Sequence, residues 1–312
     1  MLLDALALVG GLAVLVGAAS LLVRGASAIA LRFGLSPLVV GLTVVAFGTS
    51  APELVVSVQA ALAGAGGIAV GNVVGSNIAN VGLILGVAAL IRPVLSDPSV
   101  LRRDLPVLLG ATLLAAAFLH DRAVTRVEGS VLLLGLVAYL AWSIAAARRQ
   151  RDAAPPDLPA ATGPVALQAL WVALGLAGLV LGADLFVGGA VGLAERAGVP
   201  NAVIGLTVVA LGTSMPELAT SIVAAVRGES EIAVGNVIGS NLFNVLGILG
   251  AAAVVRPLEA PGLQLVDVLV MTALAVLLVP MMWSGRRLIR LEAGVLAATY
   301  LGYVAFLALQ NI

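Results

Sequence analysis

The chain has no cysteine and no lysine, a single histidine, and only 10% charged residues among its 312. Each scarcity closes off a class of protein. Without cysteine there is no disulfide framework and no thiolate metal site. Without lysine, the glycine-rich stretches cannot be phosphate loops of the Walker type. His120 lies in the polar turn "LHDRAVTR" and reads as solvated. Sixteen arginines balance sixteen acids to a net charge of zero, so no basic face is offered to nucleic acid. A soluble domain carries about 25% charged residues. A chain that is 61% hydrophobic and this poor in charge cannot cover a water-facing surface. It is read as an all-α integral membrane protein whose solvent is the lipid bilayer.

A spanning helix needs about 20 mostly apolar residues. Ten such runs are legible, at 4–31, 37–62, 67–91, 104–119, 126–147, 165–193, 201–226, 231–254, 264–283 and 288–309. The opening "MLLDALALVGG" lacks a positive n-region and its apolar run continues to Val23, so it is not expected to be a cleaved leader. The stretch "RRQRDAAPPDLPAATGP", 148–164, is polar and proline-rich and reads as a linker between halves 1–147 and 165–312. At this length it leaves no room for a separate regulatory domain. Twelve arginines fall on one side of these spans (24, 32, 92, 102, 103, 148, 149, 151, 227, 286, 287 and 290) and four on the other (122, 126, 196 and 256). The positive-inside rule then makes the linker cytoplasmic and puts both termini outside. The arginine-only, alanine-rich composition suggests a prokaryotic plasma membrane.

A shift of 164 residues aligns 41–86 with 205–250 without a gap, and 30 of those 46 positions are identical. Five spans per half is an odd number, so the second copy must cross the membrane in the opposite sense. The expectation is therefore two inverted five-helix repeats, an architecture of secondary transporters whose sites lie near the midplane.

Inside the repeat, "GLTVVAFGTSAPELVVS" (41–57) and "GLTVVALGTSMPELATS" (205–221) each place a glutamate in a run that is otherwise soluble in lipid. Gly48 weakens the helix, and Pro52 removes a donor and clashes with the Gly48 carbonyl. A break near 46–50 is expected, freeing carbonyls around Ala46, Phe47 and Thr49. Such groups are tolerated at depth only against protein or a wet cavity. Carbonyls, hydroxyls and a carboxylate form an all-oxygen donor set suited to hard cations, calcium above all. Thr49, Glu53 and Ser57 fall at i, i+4 and i+8 on one face. Asn72, Ser76 and Asn80 do the same in the next span, beside Gly71 and Gly75, which permit close helix approach. The second copy supplies Thr213, Glu217, Ser221, Asn236, Ser240 and Asn244, with Gly235 and Gly239. Each buried acid costs roughly 2.5–3.5 kcal/mol on insertion scales. Two symmetric acids used only as structural hydrogen-bonding groups would leave that pairing unexplained, whereas a shared cation site accounts for it. Asn72 and Asn236 could be glue between helices, Ser57 and Ser221 supports rather than ligands. Asp184, where the first half has Ser20, reads as an interfacial or helix-capping acid that could also attract cations.

At these residues the sequence resembles the sodium/calcium exchangers of the calcium/cation antiporter superfamily. Their G-T-S-x-P-E and G-S-N-x-x-N motifs stand here at 48–53 and 75–80, and again at 212–217 and 239–244. The resemblance implies that Glu53 and Glu217 bind calcium with backbone oxygens of Thr49 and Thr213. It implies sodium sites built from Ser50, Ser76, Ser214 and Ser240, the Ala46 and Ala210 carbonyls and the two glutamates. Asn80 and Asn244 would orient water or an ion at the centre. No resident cofactor is implied; sodium and calcium are cargo. In the potassium-dependent branch an Asp stands at the Asn244 position, so plain sodium/calcium exchange is expected. Calcium/proton exchange, or another divalent cargo, uses the same two acids and stays open. A channel would want weaker sites. An enzyme built on Ser50 or Ser214 lacks a neighbouring base.

Overall fold

A computed structural model of the chain describes residues 1–95, 97–152, 164–198 and 210–310. Helix dominates throughout. Helix α1 (Leu2–Phe33) ends on Gly34 in the left-handed conformation, φ 60°. Helix α2 (Pro37–Thr49) starts with Pro37 after Ser36, whose side chain accepts the Val39 amide. It continues as α3 (Ala51–Leu62) across a 46° bend. Then come α4 (Gly66–Ile91), α5 (Val100–Asp121), α6 (Arg126–Asp152) and α7 (Val165–Arg196). The second half adds α8 (Ala210–Gly212), α9 (Met215–Arg227), α10 (Ser230–Val255), α11 (Leu265–Trp283) and α12 (Arg290–Gln310). Among the described residues, eight helices are long and apolar enough to cross a membrane, and the bent pair α2–α3 raises the number to nine. The first part of the span expected at 201–226 lies outside the described residues. So does most of the expected linker, although α6 stays helical through Asp152 rather than stopping at 147.

The packing is an inside-out arrangement relative to a soluble domain. The innermost spans, α10 and α4, are 89% and 72% buried, against 17% for α12. Yet α4 and α10 carry Ser76, Asn80, Asn236, Ser240 and Asn244, all buried. Large apolar side chains such as Leu6, Leu134, Leu181 and Leu301 are exposed on the outer helices, where lipid would cover them.

Two close seams set the geometry. Helices α1 and α7 run antiparallel. A methyl group added at Gly175 would meet the Leu22 amide at 2.7 Å, one at Gly182 the Leu15 amide at 2.9 Å, and one at Gly189 the Leu8 amide at 2.5 Å. The backbones touch, as small residues allow in membranes. Asp4–Arg196, at 2.9 Å, closes one end of the seam; Arg24 over the Trp171 ring, at 5.7 Å, lies toward the other. The second seam joins α2 to α10: a methyl at Gly235 would sit 2.7 Å from the Leu38 carbonyl, and one at Gly239 2.7 Å from that of Leu42. Gly71 and Gly75, expected to do the same, meet nothing within 4 Å. By the 164-residue shift, their counterpart partners are positions 202–210, almost all outside the described residues.

Helix ends are finished by the opposite half. Arg256 donates to the Leu62 carbonyl at the end of α3 (3.2 Å). Arg290 donates to Leu90 and Ile91 at the end of α4 (3.1 and 3.3 Å), and Arg126 to Val255 at the end of α10 (3.5 Å). Cations suit these carbonyl-rich termini. Two short antiparallel ladders repeat the crossing: Val94–Leu95 with Arg287–Leu288, and Ala123–Val124 with Leu258–Glu259.

Candidate cation site

The break falls where Pro52 predicted it. Helix α2 ends at Thr49, Ser50 turns, and α3 begins at Ala51. In the second copy α8 ends at Gly212 and α9 begins at Met215. The carbonyls behave differently from expectation in the first copy. Ala46 O is not freed: it accepts the Ser50 amide at 3.0 Å and the Thr49 hydroxyl at 3.3 Å. The turn tightens after Ser50 instead of before it, so the helical bond to Ala46 survives. In the second copy the Ser214 amide bonds Leu211 O at 3.2 Å, a tighter closure that leaves Ala210 O to other partners.

The two copies meet at the centre through reciprocal hydrogen bonds. Ser50 donates to Glu217 Oε1 at 3.0 Å, and Ser214 donates to Glu53 Oε1 at 3.4 Å. Ser214 also reaches Ser76 at 3.4 Å. Ser240 is buried and faces Glu217. Both glutamates are buried to within 2% of complete. Behind each, an asparagine from the neighbouring helix holds the broken segment. Asn72 donates to Ser57 and to Glu53 O (2.9 and 3.2 Å), and Asn236 to Ser221 and Glu217 O (3.0 and 3.3 Å). These asparagines are ties between helices. Asn236 additionally accepts from the Thr49 hydroxyl at 3.1 Å, so that side chain is occupied, while the Thr49 backbone belongs to the break.

Several oxygens here have no hydrogen-bond partner. Glu53 Oε2, Glu217 Oε2, Asn80 Oδ1 and Asn244 Oδ1 are buried and unpaired. A buried carboxylate oxygen without a donor is costly, and a cation bound beside it would satisfy it. No group of three or more His, Asp or Glu side chains exists among the described residues, so any further ligands must be neutral oxygens. That composition fits hard cations rather than zinc or copper.

Sequence reasoning missed three features. Asn80 donates to Asn241 Oδ1 at 3.0 Å, the asparagine of the "GSN" triplet, to which the motif alone assigns no role. Wide π-helical turns occur at Gly41–Val45, Asn80–Leu85 and Phe243–Leu249. Asn80 and Asn244 sit at the start of two of them, as is frequent at functional sites; no single-residue signal announces such a turn. Finally, Tyr139 donates to Asp104 at 3.1 Å and Tyr303 to Asp267 at 2.8 Å. This second mirrored pair was hidden because its aspartates are 163 residues apart and its tyrosines 164, which an ungapped shift cannot align.

A cavity of about 410 Å³ borders the site. Pro52, Gly212, Thr213 and Pro216 line it together with Val180, Asp184 and Val187 of α7. Thr213 is half-buried beside it, whereas Thr49 is sealed at 1% exposure.

This arrangement defines a membrane transporter of cations, and the comparison with known sequences agrees. The chain belongs to the sodium/calcium exchanger protein family, whose model matches it twice, at residues 3–145 and 167–309. It is therefore a multi-pass membrane antiporter of cations rather than a member of an enzyme family. It is 39% identical to the putative antiporter CaxA of Alkalimonas amylolytica, over 94% of this chain and 95% of that one. It is 35% identical to the sodium/calcium exchanger MaX1 of Methanosarcina acetivorans, over 95% and 96%. Among solved structures it superposes on the sodium-calcium exchanger NCX_Mj, soaked with Na+ and Sr2+, with a TM-score of 0.86 and 32% identity, covering 97% and 98% of the two chains.

Proposed function

We propose that the protein exchanges sodium for calcium across a prokaryotic plasma membrane by alternating access, without potassium. The reciprocal Ser50–Glu217 and Ser214–Glu53 bonds, with the outer oxygen of each glutamate unpaired, carry this reading. Glu53 and Glu217 hold calcium with the Thr49 and Thr213 backbone oxygens. Sodium ions occupy the same glutamates with Ser50, Ser76, Ser214, Ser240 and the Ala210 carbonyl; Asn80 and Asn244 orient water or an ion between them. Asn244 stands where an Asp would accompany potassium dependence. Solved relatives soaked with Na+ and Sr2+ or Ca2+ support this cargo.

The two halves are inverted five-helix repeats with ten spans in all. The crossed arginine contacts support this: each joins two ends that an inverted pair puts on the same side. With the arginine-rich ends cytoplasmic, both termini lie outside and the cavity at Thr213 opens outward. The close, glycine-lined α1–α7 pair is the element that slides between the two access states.

Radioactive calcium uptake into proteoliposomes tests the reading, with sodium or acid inside, potassium absent and the membrane potential clamped. Uptake driven by outward sodium and lost in Glu53→Gln and Glu217→Gln is the expected result. Uptake driven only by protons would make the protein a calcium/proton antiporter, and a sodium-independent leak would make it a channel.

A further inference from the structure

Most acids within the described long helices have a partner. Asp104 is held by Arg103 and Tyr139, Asp267 by Tyr303, and Asp4 by Arg196, while Glu231 accepts the Leu38 amide. Asp184 is different: it makes no hydrogen bond or ion pair with any described residue. Nor does it cap a helix: Asp184 lies within the 32-residue α7, twelve residues before its last residue, Arg196, about 18 Å from that end. It is exposed, and an ionisable residue in the body of so apolar a helix calls for a function.

Its surroundings indicate which one. Asp184 lines the 410 Å³ cavity with Thr213, Pro52 and Pro216, and each of those prolines immediately precedes a site glutamate. We propose that Asp184 is the recruiting carboxylate of the access cavity. It draws a hydrated cation out of bulk water and hands it on to the Glu53–Glu217 pair. A single charge in a cleft with low-dielectric walls focuses the field and raises the local cation concentration. The matching position on α1 is Ser20, so access past α1 has no such charge. Capture is therefore asymmetric: calcium is collected at lower concentration from the cavity face than from the opposite one. The inference rests on the exchanger reading and adds to it a residue outside the paired motifs.

The test measures sodium-driven calcium uptake against calcium concentration in right-side-out and inverted membrane vesicles. Asp184→Asn is expected to raise the apparent KM about 3- to 10-fold on the cavity face and less than 2-fold on the other, with the maximal rate falling by less than half. In 1 M choline chloride, where the Debye length is about 3 Å, the difference should shrink below 2-fold. Asp184→Glu should restore the wild-type KM. The absence of native cysteine gives a second route should Asp184→Asn fail to reach the membrane. Asp184→Cys should react with impermeant thiol reagents from the cavity face only. A sulfonate adduct should bring KM back down, and a trimethylammonium adduct should raise it further. Equal effects of the two adducts, no labelling, or an unchanged KM in Asp184→Asn would each overturn recruitment while leaving the exchanger reading intact. A wild type without sodium-driven calcium flux would overturn both.

Discussion

Thr49 and Thr213 occupy the same place in the two copies of one motif, yet one is sealed at 1% exposure and hydrogen-bonded to Asn236, while the other borders a cavity. The ties behind the glutamates are nearly identical: 2.9 and 3.2 Å from Asn72, 3.0 and 3.3 Å from Asn236. What differs is the contact with the antiparallel pair. Gly48 lies against Leu176, and Gly212 against Val187, and the cavity next to α7 takes in Thr213 but not Thr49. Near-identical sequences thus hold two environments at once. Two environments for one motif on either side of one site fit the alternating access proposed above.

The sharpest way to break this comparison is to remove one acid at a time. Glu53→Gln and Glu217→Gln should each reduce sodium-driven calcium uptake by at least about 100-fold, since each removes a charged ligand from a buried site. The two losses should agree within about threefold; a tolerated Glu217→Gln would mean the copies are not equivalent. Next come the serines. Ser50→Ala should weaken calcium binding, read by isothermal titration, by about 10-fold, as expected for a hydrogen bond to a charged group. Ser214→Ala should cost less, because its bond to Glu53 is longer, 3.4 against 3.0 Å.

Stability sharpens the comparison further. Asn236→Ala breaks three bonds and Asn72→Ala two, so thermal unfolding in detergent should show Asn236→Ala the less stable by about 1 kcal/mol. The smallest effect is expected at the crossed helix ends. Arg256→Ala removes an exposed cap on α3 and should cost about 0.3–1 kcal/mol, visible as a small drop in melting temperature with exchange retained.

Much of this was legible in the chain itself. Composition dictated a membrane protein, the 164-residue shift exposed the duplication, and Pro52 located the break. Glu53 and Glu217 emerged from the cost of burying an acid in lipid. Other features could not be read in that way. The survival of the Ala46 hydrogen bond depends on which side of Ser50 the chain tightens, a matter of a few degrees of backbone. The π-helical turns at Asn80 and Phe243 need one extra residue per turn, which leaves the apolar pattern unchanged. The Asp104–Tyr139 and Asp267–Tyr303 pairs lie outside the conspicuous motif, and a single-residue offset masks their kinship. Asp184 was visible from the start but the cavity it lines was not, because that depends on how α7 packs beside the two broken helices.

The crossed arginine caps also constrain how the protein is made. Ends of α3 and α4 are completed by Arg256 and Arg290, and Glu53 receives its hydrogen bond from Ser214. All three donors are translated well after the first half. At 5–20 residues per second, roughly 8–30 s separate the synthesis of Glu53 from that of Ser214. During that interval the first half has an acid without its donor and open helix ends. Until the second half arrives, that acid and those helix ends lack the partners that complete them.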